Sequence, residues 1–304
     1  MAVIGWIGLG HMGGPMSAQL VGAGHEVRGF DLDEVATVLA TERGVQVQES
    51  IADAVSDADA VFTSLPRNEH VRQVYEATAG IWASARPGAL LLDTSTVDVE
   101  TSRWCHEAST ARGFRFVDAP ISGGIAGAER GTLTVMLGGE PDAVEEAAAL
   151  VAPMAAHVFD LGGPTLGIAA KLANNLMLFA SLTGVAEGAA LAAALGLDPR
   201  RFFEVASTSS GDSWPLRTWY PAPGVVETSP ANRNFDATFS VALAEKDLSF
   251  ALAAGEASGL DLPAAALALE QLRRLEAEGY AGKDASLVAK FPAGGTVAGF
   301  DPGA

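Results

Sequence analysis

Among 304 residues there is one cysteine, Cys105. That excludes an internal disulfide framework and suits a reducing compartment, so the cytoplasm is the expected location. Cys105 itself reads as a small buried hydrophobe. Positive charge is also scarce: 19 Lys and Arg face 37 Asp and Glu, for a net charge of -18. With no run of basic side chains to neutralise a phosphate backbone, nucleic acid is excluded as a partner. The five histidines show no HxxxH spacing and no CxxC occurs, so no metal site is expected. A GxSxG nucleophile elbow is missing too. No apolar run reaches the ~20 residues of a membrane span without a glycine or polar interruption. The stretch 166–195 is long enough, but Lys171, Asn174, Asn175 and Glu187 lie inside it, and no membrane partner is expected. The apolar start, 2–9, is broken by glycines and has no basic flank, unlike a signal peptide.

The residues that are abundant describe a globular chain: 49% are hydrophobic and 18% charged. The length suggests two domains. In the first half, short apolar runs at 3–7, 26–31, 60–64, 89–93, 114–117, 133–137 and 157–159 read as strands. Amphipathic segments at 13–22, 35–41, 70–75, 99–111 and 142–152 read as helices between them. This alternation predicts an α/β fold with a doubly wound, Rossmann-type parallel sheet. The strand pattern stops near 161–164, and the second half of the chain reads as helical. The expected division is a dinucleotide-binding domain over 1–163 and an all-helical substrate and dimerisation domain over 164–304, joined by one long helix. A proline- and aromatic-rich stretch over 214–230, with Trp214, Trp219 and Tyr220, interrupts the helical half.

The run Gly8-Leu9-Gly10-His11-Met12-Gly13 lies between the first strand and the first helix. Glycines there allow a tight turn, close approach of backbone to a pyrophosphate, and helix–strand packing; the helix N-terminus favours the anion. Asp31 ends the second strand, 18 residues after Gly13. A carboxylate at that place accepts hydrogen bonds from a ribose and repels a 2′-phosphate, and Leu32 rather than arginine follows it, so NAD is expected over NADP. Three further loops fall on the ligand side of such a sheet: Ser64-Leu65-Pro66, Asp93-Thr94-Ser95-Thr96 and Asp118-Ala119-Pro120-Ile121-Ser122-Gly123-Gly124. In the last, Ser122 with the amides of Gly123 and Gly124 makes a donor-rich turn suited to a carboxylate.

Lys171 stands with Asn174 and Asn175 inside the apolar stretch 166–195. Spacings of three and four place them on one helix face. Burying an amine and two amides among Leu, Met, Phe and Ala is costly unless each finds a polar partner. A desolvated lysine can exchange protons near neutral pH, so the stripe reads as an active site. Lys246-Asp247, in a second helical stretch at 241–254, reads by itself as a surface pair.

The glycine run, the segment 118–124, Lys171-Leu172-Ala173-Asn174-Asn175 and Lys246-Asp247-Leu248 occur in the order seen in β-hydroxyacid dehydrogenases. The resemblance covers almost the whole chain. Within the family, Trp214, Pro221-Ala222-Pro223-Gly224-Val225, 229–232 and 282–286 are similar to the branch that oxidises 3-hydroxyisobutyrate in valine breakdown. The resemblance implies Lys171 as catalytic acid/base and Asn175 as the residue orienting the hydroxyl. It places Ser122, Gly123 and Gly124 at the substrate carboxylate, with Asn174 beside the substrate supporting the helix face. Leu65, Pro66, Thr96 and Lys246 would line the NAD site with the glycine run and Asp31. Two features depart from the family pattern: His70, where relatives often carry asparagine, and Phe235-Asp236-Ala237-Thr238-Phe239, in place of a glycine-rich segment. The expected partner is a small 3-hydroxy acid, in a homodimer or homotetramer. The rival readings are a related semialdehyde, glyoxylate or imine reductase, and a non-catalytic dinucleotide-binding module.

Overall fold

Short runs of Ile, Val, Leu and Phe form the central strands because both faces of each are buried, as a parallel sheet covered by helices requires. The computed structural model describes residues 1–303. They group into two units, Met1–Lys171 and Leu172–Ala304.

The first unit opens β1 (Val3–Ile7), α1 (Gly13–Gly22), β2 (Glu26–Phe30), α2 (Glu34–Glu42), β3 (Gln46–Val47), α3 (Ile51–Val55), β4 (Ala60–Thr63) and α4 (Asn68–Glu76). It continues α5 (Ile81–Ser84), β5 (Leu90–Asp93), α6 (Val99–Thr110), β6 (Arg115–Asp118), β7 (Ile121–Ser122), α7 (Gly124–Arg130), β8 (Leu133–Gly139), α8 (Pro141–Val151) and β9 (Ala155–Asp160). The sheet order is β3-β2-β1-β4-β5-β6-β8-β7, with β9 beside β8. The first six strands are all parallel, and the order reverses between β1 and β4. That is the Rossmann arrangement, with its ligand crevice beyond the carboxyl ends of the strands. The parallel pattern ends at β8, which runs antiparallel to β6 and β7. The stretch between β6 and β8 returns through a short strand and one short helix instead of a full crossover, so β8 comes back reversed. The α8 crossover then makes β9 parallel to β8.

Alternate residues of each strand feed two cores. Ile4, Trp6, Phe62, Leu90, Leu92 and Val117 face one layer. Ile7, Val61, Leu91 and Phe116 face the other. Trp6 and Phe62, paired across β1 and β4, stack with ring centroids 4.8 Å apart.

In the second unit the long helix α9 (Leu166–Ala194), which begins in the first, is followed by α10 (Pro199–Ala206), α11 (Trp214–Trp219), α12 (Val241–Ala257) and α13 (Pro263–Ala277). Asp198, Ser213 and Ser240 cap α10, α11 and α12 by accepting a first-turn backbone N–H. No strand forms among the described residues of this unit; two isolated bridges, Asp236 to Lys283 and Ser240 to Asp284, tie the start of α12 to the C-terminal segment. The proline- and aromatic-rich stretch is ordered as α11 and a 3-10 turn at Pro230–Arg233.

Phe62→Ala would remove a fully buried ring and its stacking partner. Urea unfolding should show a loss of about 3–5 kcal/mol, and a loss below about 1 kcal/mol would mean that the sheet core does not depend on the stack.

Candidate active site

The glycine loop follows β1. Gly8 has φ +96°, and its N–H donates to the Phe30 carbonyl at 2.9 Å. A Cβ on Gly8 would run into the Ser64 carbonyl, and one on Gly13 into the Gly8 carbonyl, which also accepts from Trp6 Nε1 at 2.9 Å. The sequence therefore folds α1 directly onto β1. Gly10 is exposed, and nothing lies within 4 Å of where its Cβ would be. Bare backbone thus borders open space just ahead of a helix N-terminus, whose first N–H groups lack intrahelical acceptors. Leu9 and Gly13 are buried, Met12 half-buried and His11 exposed. Asp31 Oδ2 accepts from Leu9 N at 2.6 Å, and Oδ1 accepts from Asp33 N at 2.9 Å. The carboxylate is therefore fixed against the glycine loop, with Leu32 beside it 88% exposed. These residues fit a dinucleotide: room for a pyrophosphate at Gly10 and an acceptor for ribose hydroxyls at Asp31.

The next two loops are laced together. Thr63 Oγ1 donates to Asp93 Oδ1 at 2.7 Å, and Ser95 N donates to the same oxygen at 3.1 Å. Leu65 N donates to Ser95 Oγ at 2.9 Å, and Thr94 Oγ1 to the Thr63 carbonyl at 2.8 Å. This holds Leu65 and Thr96 half-buried and Pro66 exposed at the ends of β4 and β5. Burial pushes the Asp93 carboxyl up to about 6, against the hydrogen bonds from Ser95 and Thr63. Burial likewise lifts the Cys105 thiol well above the ordinary range, which leaves it inert. His70 is half-buried on α4, its Nδ1 without a hydrogen-bond partner.

Ser122 is half-buried in β7, paired with Thr134 of β8. Gly123, at φ +135°, caps α7, and both it and Gly124 are exposed. Asp118, at the head of the same segment, serves another purpose. Fully buried at the end of β6, it accepts from Ile168 N at 2.7 Å and Thr165 N at 3.0 Å, and lies 2.6 Å from His106 Nε2. It therefore ties down the first turn of α9.

On α9, Lys171 is 7% exposed and Asn175, one turn on, 1% exposed. Asn174 is exposed, and its Nδ2 donates to Asn175 Oδ1 at 3.2 Å. The expected single stripe is therefore split: two residues face inward and the third is turned toward solvent, because consecutive helix positions differ by about 100°. Asn175 Nδ2 donates to the buried carboxylate of Asp247 at 2.8 Å. Lys246 Nζ sits 2.9 Å from the same carboxylate and 5.0 Å from the centre of the Phe250 ring. Lys246-Asp247 is thus no surface pair: Asp247 fixes the side-chain amide of Asn175. One further turn along α9, Phe179 packs on Phe239, which packs on Trp219.

Fold, glycine loop and strand-end carboxylate together define a dinucleotide-binding oxidoreductase. Residues 3–163 match the NAD binding domain of 6-phosphogluconate dehydrogenase, and residues 166–291 match the model described as NAD-binding of NADP-dependent 3-hydroxyisobutyrate dehydrogenase. The NAD-dependent L-serine dehydrogenase of Pseudomonas aeruginosa is 40% identical over 291 residues, covering 96% of this chain and 98% of that one. The 3-hydroxyisobutyrate dehydrogenase of the same organism is 39% identical over 268 residues, covering 88% and 90%. The solved Mycobacterium tuberculosis 3-hydroxyisobutyrate dehydrogenase with L-serine superposes with a TM-score of 0.88 at 40% identity, covering 95% of this chain and 98% of that one. The chain belongs to the β-hydroxyacid dehydrogenases of the 3-hydroxyisobutyrate dehydrogenase type, enzymes that oxidise 3-hydroxy acids with NAD.

Sequence reasoning passed over Asp93, Asp118, His106 and Asp247 as functional residues. Asp93 and Asp118 each close a strand and open a loop, a position that marks the ligand side of such a sheet and was a usable signal. The His106–Asp118 and Asn175–Asp247 pairings join residues 12 and 72 apart and had none.

Because the Asp93 carboxyl titrates higher in the fold than in the unfolded chain, the folded state holds the extra proton between about pH 4 and 6, and stability falls as pH rises through that window. Asp93→Asn removes the titration. Its stability relative to wild type should therefore increase from pH 4.5 to pH 7.5, by about 2 kcal/mol in urea unfolding. A flat or inverted difference would show that the ionised carboxylate is buried without penalty.

Proposed function

We propose that the chain is a 3-hydroxyisobutyrate dehydrogenase, catalysing reversible oxidation of HO–CH2–CH(CH3)–COO⁻ to methylmalonate semialdehyde in valine breakdown, in the cytoplasm. The observation that carries this reading is Lys171 and Asn175, buried one turn apart on α9, with the amide of Asn175 held by Asp247. The amide is pre-oriented, so Asn175 can align the C3 hydroxyl without paying for its own ordering. Lys171, shielded from bulk water, takes the hydroxyl proton as the C–H bond breaks. The amides of the exposed Gly123 and Gly124, with Ser122 Oγ, receive the substrate carboxylate. The glycine loop and Asp31 hold the pyrophosphate and ribose, and Leu65, Pro66 and Thr96 line the cofactor. Bound NAD supplies the hydride acceptor.

L-serine, in which an ammonium replaces the methyl group, is the second reading, favoured by the serine dehydrogenase relative and the serine-bound structure. Two observations support the methyl group first. The neighbours one turn beyond Asn175 are aromatic rings. The carboxylate of Asp247, a counter-charge for an ammonium, already faces Lys246 and Asn175.

The same reading includes assembly as a homodimer or homotetramer. Most of the apolar stretch of α9 is not buried within the chain, and Met177 and Leu191 on it are exposed. A long apolar helix surface of this kind calls for a second copy to cover it.

Lys171→Ala should lower kcat by about 10²–10⁴-fold and leave the NAD dissociation constant within about twofold of wild type. A variant keeping more than about a tenth of wild-type kcat would remove Lys171 from proton transfer. Absorbance at 340 nm, read with 3-hydroxyisobutyrate, L-serine, 3-hydroxypropionate and glycerate, ranks kcat/KM; the first should lead. A higher value for L-serine would replace the first reading with the second, and NAD binding without turnover of any acid would favour a non-catalytic module.

A further inference from the structure

A lysine that moves a proton is only as good as its placement, and α9 carries Lys171 three residues after Ile168, about 4.5 Å along the helix axis. How the first turn of α9 is held therefore decides where the amine sits. That turn rests on bare backbone. A Cβ on Gly138 of β8 would come within 2.6 Å of Gly167 N, and one on Gly167 would run into the Met136 carbonyl. The side chain found at this contact is that of Asp118, whose carboxylate lies within 3.0 Å of where either Cβ would be. The residue leading into the helix, Thr165, has φ +70°, a conformation that a β-branched residue adopts only under constraint. Both ends of this strained entry, Thr165 N and Ile168 N, donate to one carboxylate, that of Asp118. The carboxylate is in turn fixed by its place at the end of β6 and by His106, whose ring meets Phe116 edge-on at 4.7 Å. A negative charge at a helix N-terminus adds favourable interaction with the helix dipole.

We propose that Asp118 is a positioning residue for the reaction: through Thr165 and Ile168 it locks the entry of α9 and so sets the position of Lys171. The inference rests on the reading of Lys171 as the proton-transfer group. Asp118 acts through the helix and not on the substrate, so its loss displaces the amine while the dinucleotide site, built on β1, β2, β4 and β5, stays intact. A shift of about 1 Å in a reacting group is enough to cost about 10²-fold in rate.

Asp118→Asn keeps the size of the side chain and removes the charge and half of its accepting capacity. It should lower kcat by about 30-fold or more, with the NAD dissociation constant within about twofold of wild type. The solvent deuterium isotope effect on kcat should rise above the wild-type value, because proton transfer becomes slower relative to the other steps; a merely reduced folded fraction would leave it unchanged. Adding Thr165→Gly should return at least about threefold of the lost kcat, since glycine holds a positive φ without help from the carboxylate. A kcat within about twofold of wild type, or NAD affinity falling in step with kcat, would overturn the inference. If Asp118→Asn does not fold, Asp118→Glu carries the same measurements; it keeps the charge and displaces the helix entry by one methylene, and a wild-type kcat there overturns the inference equally. An inactive Lys171→Ala beside a fully active Asp118→Asn defeats this inference alone, whereas an active Lys171→Ala defeats the reading beneath it.

Discussion

Aspartates, most of them buried and each satisfied by donors from a neighbouring segment, hold the loops and helices of this protein in place. Asp31, half-buried just after β2, accepts from Leu9 in the glycine loop. Asp93 closes β5 and binds Thr63 of β4 and the backbone of Ser95. Asp118 closes β6 and binds the entry of α9. In the helical unit Asp247 holds Asn175, and the fully buried Asp284 accepts from Thr238 N, Thr238 Oγ1, Phe239 N, Ser286 N and Ser286 Oγ. Ionised acceptors make stronger hydrogen bonds than neutral ones, and a buried carboxylate without such partners would be severely penalised. Each of these aspartates therefore specifies one arrangement of the backbone around it. The acidity of the chain, which by itself speaks of solubility, is in part this internal scaffolding.

That scaffolding explains how loops act as rigid elements. A Rossmann crevice is lined by connections, which are ordinarily the mobile parts of a fold. Here the loops after β4 and β5 are cross-linked by short side chains and by each other's backbone, through Leu65 N to Ser95 Oγ and Thr94 Oγ1 to the Thr63 carbonyl. The first turn of α9, the helix that carries Lys171 and Asn175, is anchored in the same manner, and Gly138 and Gly167 let helix and strand backbones approach closely around the Asp118 carboxylate.

Much of this was legible in the sequence. The strand Val3–Ile7 and the helix Gly13–Gly22 follow from apolar runs and periodicity, and the strand read at 133–137 and the helix read at 241–254 form but extend to Gly139 and Ala257. The pieces that escaped were β3, β7, α3, α5, α7 and α11, of two to seven residues, too short for any period to register. The antiparallel turn of β8 escaped as well, since strand direction depends on how long the preceding connection is and where it packs. Lys171 and Asn175 stood out because polar residues inside an apolar helix demand partners; the partner of Asn175 lies 72 residues on, and no local pattern could supply it.

The sequence by itself determined the class of fold, the glycine loop with its ribose-side acid, and the polar pair on an apolar helix. Each of these is set by spacing within a few residues, where helix and strand geometry leave little choice. Only the tertiary structure decided that Asn174 turns outward while Asn175 turns in, that Lys246-Asp247 is buried, and that Asp93 and Asp118 secure the loops and the helix entry. Those outcomes depend on which distant donors arrive beside a carboxylate once the chain has packed, and burial, which gives such hydrogen bonds their strength, exists only in the folded molecule.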